Sequence, residues 1–172
     1  MQDFRKELTE RQTGLRGLAT RIPGFKGYYE KELRREADKL LRMHLAERLQ
    51  EQRNRLGEIQ VALVKSKQMV AVGDIERAVT KLQRLIDRLK TASYGYAGWF
   101  DAVAVRNEDL DRLYQFDNDL MTGLDELAAS VDSLARTAKG QQGLAEGSAA
   151  LTDVLQRLND TLDRRSQVLY EE

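Results

Sequence analysis

The sequence predicts an all-α protein: an elongated antiparallel helical bundle, coiled-coil-like, of four to five helices. Three observations predict it. Ala, Leu, Glu, Lys and Arg supply 84 of the 172 residues, the share seen in long helices and coiled coils. Apolar residues recur at alternating three- and four-residue spacings over long stretches, which places them on one helical face. A single proline, Pro23, and 11 aromatic residues are too few for the short, turn-rich strands of a β-sandwich or barrel.

The first element is a basic amphipathic helix with its break, residues 1–27; the remaining residues, 28–172, read as one bundle domain. Phe4, Leu8, Leu15, Leu18 and Ile22 mark the apolar face, with Arg11 in the remaining slot. Gly14 and Gly17 weaken this helix by about 1 kcal/mol each. Ile22-Pro23-Gly24-Phe25-Lys26-Gly27 ends it, since proline disfavours helix at the preceding residue and two glycines follow.

A long helix is expected over about 28–72, carried by Leu33, Ala37, Leu41, Leu45, Leu49, Leu56, Ile59, Leu63 and Val70. At 1.5 Å per residue it would be roughly 65 Å long, so either the molecule is elongated or the helix bends near Gly57. Gly73-Asp74 reads as a cap glycine followed by an N-cap aspartate, opening a third helix over 74–92. Its seam is Ile75, Ala78, Leu82, Leu85 and Leu89. Asn107 is the expected N-cap of a fourth helix, 107–139, with Glu108, Asp109 and Asp111 set against its dipole. The seam there runs Leu110, Leu113, Asp117, Leu120, Leu124, Leu127, Val131, Leu134, Ala138. The last helix, 144–170, carries Leu144, Ser148, Leu151, Leu155, Leu158, Leu162, Arg165 and Leu169. The core of the bundle is predicted at Leu82, Leu85, Leu89, Leu113, Leu120, Leu124, Leu127, Leu155, Leu158 and Leu162.

Net charge is zero, but its distribution is not even. Residues 1–98 carry 21 Lys and Arg against 13 Asp and Glu, and residues 99–172 carry 7 against 15. Such halves complement each other, either within one chain or between copies. No apolar run approaches the roughly 20 residues of a membrane span, and the first residues lack a signal-peptide core. The cytosol is therefore the expected compartment.

Enzyme chemistry finds no foothold. The chain has no Cys, so thiol nucleophiles, disulfides and thiolate metal sites are excluded. It has one histidine, His44, with Leu41 three residues before it, so the Glu-x-x-His pairs of a di-iron bundle are absent. There is no P-loop, dinucleotide-binding fingerprint or nucleophile elbow. No catalytic residue, cofactor or metal ligand is expected. His44 reads as a half-buried, hydrogen-bonded residue at a helix boundary. Asp117, set among leucines, needs a partner or a proton; Arg165, which also falls in a seam, is the expected partner.

Two Gly-aromatic clusters stand outside the seams: Phe25, Tyr28 and Tyr29, and Tyr94, Tyr96, Trp99 and Phe100. They read either as plugs at the bundle ends or as a partner-binding surface, because Trp and Tyr dominate interface hot spots. Tyr94, Tyr96, Trp99 and Phe100 are the candidate protein-binding residues. Nucleic-acid stacking on Tyr28 and Tyr29 beside Lys31, Arg34 and Arg35 is the weakest option, since the chain carries no nucleic-acid-binding signature. The N-terminal segment offers a membrane alternative. Phe4, Leu8 and Leu15 share a face, while Arg5, Lys6, Arg11 and Arg16 supply charge for an anionic surface.

A basic amphipathic start, a long helical hairpin and an acidic later half together resemble, in layout, the ESCRT-III-like phage-shock and vesicle-inducing proteins of bacteria. The resemblance covers gross layout and no motif, and the Gly-aromatic stretches 24–29 and 94–100 interrupt the hairpin. The leading expectation is a non-enzymatic scaffold or adaptor that binds protein partners or itself through helix packing and the 94–100 segment, as a homo-oligomer. A peripheral membrane-surface protein of membrane-remodelling or stress type is the alternative.

Overall fold

The repeating leucine seams become long helices. A computed structural model of the chain describes residues 2–92, 100, 105–140 and 142–170, and at 2–5, 7, 8, 10, 11 and 170 the backbone alone. Among these residues lie five α-helices: α1 (Gln2–Ala19), α2 (Arg34–Lys65), α3 (Met69–Thr91), α4 (Asn107–Gly140) and α5 (Leu144–Tyr170). A 3₁₀ turn, Lys31–Leu33, leads into α2. The described residues contain no strand.

Helices α2 and α3 form one hairpin and α4 and α5 another; α2 lies beside α4 and α3 beside α5, closing a four-helix ring, with α1 laid against α4. Cross-helix pairs fix the directions. Asp117 meets Arg165, Glu126 meets Arg157, and Leu134 approaches Gly147, so α5 runs back along α4. Arg55 of α2 pairs with Asp132 of α4, while near the start of α2 Asp38 shares Arg165 with Asp117. Helices α2 and α4 are therefore parallel. All ten predicted core leucines are buried, none exposed by more than 5%.

Two boundaries differ from the sequence expectation. Residues 28–30 are not helical, and α2 starts at Arg34. It then runs unbroken through Gly57, about 48 Å at 1.5 Å per residue. The α2–α3 turn falls at residues 66–68, so Gly73 and Asp74 lie inside α3 rather than between helices. The physical reason is a Schellman closure that uses no glycine. Gln68 N–H donates to the Leu63 carbonyl (2.9 Å) and Lys67 N–H to that of Val64 (3.0 Å), with Lys67 taking the left-handed conformation at φ 61°. Val70, expected in the apolar stripe, consequently stands beyond the turn and is 84% exposed.

The glycines that weaken α1 also let it dock. Gly14 and Gly17 lie against Tyr114 and Asn118, and a Cβ at Gly17 would meet the Asn118 Oδ1 at 2.7 Å. Asn118 Nδ2 donates to the Gly14 carbonyl (3.1 Å), and Leu18 and Ile22 are buried. Further along, Gly27 adopts φ +90°, and an added Cβ would strike the Tyr114 hydroxyl and come within 2.8 Å of Leu15 Cδ1. That hydroxyl accepts the Tyr28 N–H at 2.6 Å. Gly27→Ala should therefore destabilise the fold by about 1–3 kcal/mol through backbone strain and the clash. Urea unfolding checks it, and an unchanged midpoint would contradict the tight turn.

Part of the charge asymmetry is paired within the chain. Arg21 pairs with Asp125, Arg55 with Asp132 and Arg88 with Asp163, each joining the basic α1–α3 region to the acidic α4–α5 region. These pairs are part-exposed, worth about 0–1 kcal/mol each, and serve register more than stability.

Candidate interaction surface and buried ion network

The polar residues that fall inside the seams meet in one place. Arg165 Nε donates to Asp117 Oδ1 at 2.5 Å, and Arg165 Nη2 donates to Asp38 Oδ1 at 2.8 Å. Arg42 Nε donates to Asp38 Oδ2 (2.7 Å) and its Nη1 to the Leu89 carbonyl (2.6 Å). The Tyr28 hydroxyl donates to Asp117 Oδ2 at 2.5 Å, and Arg34 Nε donates to the Tyr28 carbonyl. Asp38, Arg42, Asp117 and Arg165 are all 3% exposed or less. Two guanidinium groups thus face two carboxylates, and α2, α3, α4, α5 and the 20–30 connection are tied at one end of the bundle.

The expected pairing of Asp117 with Arg165 is present; Asp38, Arg42 and Tyr114 belong to the same assembly and were not singled out from sequence. Burial lifts the Asp117 carboxyl above its usual range, against the pull of Arg165. Burial alone would lower Arg165, but Asp117 and Asp38 outweigh it and hold the guanidinium charged. Tyr28 is pushed well up by burial and by Asp117, in keeping with a hydroxyl that donates its proton to the Asp117 carboxylate.

The first aromatic cluster joins it. Phe25 and Tyr28 meet edge to face at 5.6 Å, and Tyr28 and Tyr29 both lie against Tyr114. Of the residues weighed for nucleic-acid stacking, Tyr28 is fully buried and Arg34 is engaged with its carbonyl, while Tyr29 is 37% exposed. Of the second cluster, Phe100 is 3% exposed and packs in the core; a hot spot must be reachable by its partner, so Phe100 is corrected from candidate contact to core residue. Tyr94, Tyr96 and Trp99 lie outside the described residues.

On α1, Lys6 and Arg16 are exposed and Leu15 is half-buried against the bundle. The side chains of Phe4, Arg5, Leu8 and Arg11 lie outside the described residues. His44 is half-buried, and burial followed by the charge of Arg48 lowers its pKa. Among the described residues no cluster of His, Asp or Glu is placed to hold a metal ion, and no helix is long and apolar enough to cross a membrane.

The opposite end of the bundle carries the feature sequence reasoning passed over. Among the described residues, four of the five exposed large hydrophobics converge on the tip of the α2–α3 hairpin: Val61 (55%), Val64 (49%), Met69 (62%) and Val70 (84%). Beside them lies an open groove of about 440 Å³ lined by Gly57, Val61, Val64, Lys65, Val72 and Glu76, among others. Gly57 has open space where a Cβ would stand, leaving a notch in the α2 surface. A sequence signal existed: Val61-Ala62-Leu63-Val64 is apolar around the whole helix, and one stripe cannot bury all of it.

No protein-family model, curated protein sequence or solved structure matches this chain.

Proposed function

We propose that the protein is a non-enzymatic helical scaffold that self-assembles through the tip of its α2–α3 hairpin. The observation that carries this reading is the convergence of Val61, Val64, Met69 and Val70 on one solvent-facing end. Scattered exposed hydrophobics are ordinary, whereas a contiguous group beside a groove marks an interaction surface.

A second copy of the chain is the partner that suits it. A two-fold contact sets a patch against itself, so the patch must hold both members of each complementary pair. The groove supplies Lys65 from α2 and Glu76 from α3 on an apolar floor, with the Gly57 notch as a point of close approach. Trp99, Tyr96 and Tyr94 remain in this reading as contacts for further protein partners, on the general composition of hot spots.

Sedimentation equilibrium tests the proposal. The wild-type chain should dimerise, and Val64→Glu combined with Val70→Glu should return it to a monomer with unchanged helix content. A wild-type monomer at every concentration, or a dimer indifferent to both substitutions, would overturn the tip as the interface. So would a monomer whose tip binds anionic vesicles instead.

A further inference from the structure

The hairpin tip carries a chemistry that its valines do not share. Met69, the first residue of α3, is 62% exposed and belongs to the same apolar group as Val61, Val64 and Val70. Its thioether is the oxidisable atom of that group. The chain has no Cys, so no thiol within it competes for an oxidant. Of the other methionines, Met121 is 2% exposed and Met43 is half-buried, while Met1 lies outside the described residues. Attack on a thioether follows its exposure, so among the described residues Met69 is the sulfur that an oxidant reaches first.

Oxidation there changes the surface and leaves the core alone. Hydrogen peroxide transfers one oxygen to the sulfur: an S–O bond forms and the O–O bond breaks. The departing hydroxide takes the proton of the transferred hydroxyl and leaves as water, so sulfur is oxidised by two electrons and the peroxide is reduced. The product is a sulfoxide, a polar acceptor on a side chain that was apolar. In the free chain that oxygen is hydrated. The start of α3 also tolerates it, because the helix opens with no side-chain cap and no acidic residue in its first turn, so nothing there repels a new acceptor. Against a second copy, the same oxygen would be carried into an apolar contact, where desolvating a polar group is costly.

We infer that Met69 is a redox modification site that controls self-assembly: oxidants of the peroxide class convert it to the sulfoxide and hold the chain as a monomer. The inference rests on the tip being the self-association surface. A dimer shields the thioether and a sulfoxide bars the dimer, so oxidation proceeds through the free monomer, and a methionine sulfoxide reductase reverses it.

Peroxide treatment of the full chain, followed by peptide mass spectrometry and sedimentation equilibrium, provides the test. Met69 should gain one oxygen before Met43 and Met121, and the dimer Kd should rise by about tenfold or more. Methionine sulfoxide reductase should restore the dimer. Met69→Leu, an apolar replacement of similar size, should dimerise as the wild type does and ignore peroxide. Met69→Gln should weaken the dimer without any oxidant, with circular dichroism confirming that both variants are folded. A dimer unchanged by complete oxidation of Met69, or a Met69→Leu dimer that peroxide also dissociates, overturns this inference alone. A wild-type chain that is monomeric before peroxide is added overturns the tip as the interface, and this inference falls with it.

Discussion

Arg165→Met should destabilise the protein by about 3–5 kcal/mol, because it strips the shared cation from two buried carboxylates. Arg165 is 1% exposed and bonds Asp117 and Asp38 at once. Methionine fills much of the volume, so the loss reports charge and not a cavity. Asp38 keeps Arg42, and Asp117 keeps the Tyr28 hydroxyl, but neither contact replaces the missing positive charge beside Asp117. Against a typical domain stability of about 5–15 kcal/mol, such a change brings the chain close to unfolding. Urea unfolding followed by circular dichroism measures it. The same substitution in an Asp117→Leu background should cost measurably less, since one of the two stranded charges is gone. Equal losses in both backgrounds would show that the ion pair is not coupled.

Leu124→Ala is the second large effect, expected at about 2–5 kcal/mol. Leu124 lies on the inner face of α4 at 5% exposure, in a seam with Leu120, Leu127 and Val131. Alanine keeps helix propensity, so the loss isolates packing. The spread depends on how far neighbouring helices collapse into the gap. A midpoint shift equivalent to less than about 0.5 kcal/mol would mean that the stripe is not packed as described.

The seams were legible because three-and-four spacing leaves a helix only one way to hide its leucines. Asp117 and Arg165 were legible for a related reason: a charge in a leucine seam must meet its opposite. Asp38 and Arg42 escaped notice since they stand on α2, whose buried face is broad and mixed, and where a charged residue looks like part of the solvated side. Gly73 misled because glycine usually marks a helix end, whereas here the left-handed position is taken by Lys67 and no residue-type signal announces it. The hairpin tip depends on which helix ends meet. Spacing within one helix does not encode that.

The ion network also has a consequence for how the molecule is made. Arg165 reaches Asp38 across 127 residues and Tyr28 across 137. The α2–α3 hairpin carries its own guanidinium for Asp38 in Arg42, whereas Asp117 on α4 meets its guanidinium only from the final helix. Closure of the ring is thereby postponed until α5 is synthesised. A chain halted before Arg165 would have to bury the Asp117 carboxylate without its cation to close the ring, a cost that the complete chain does not meet.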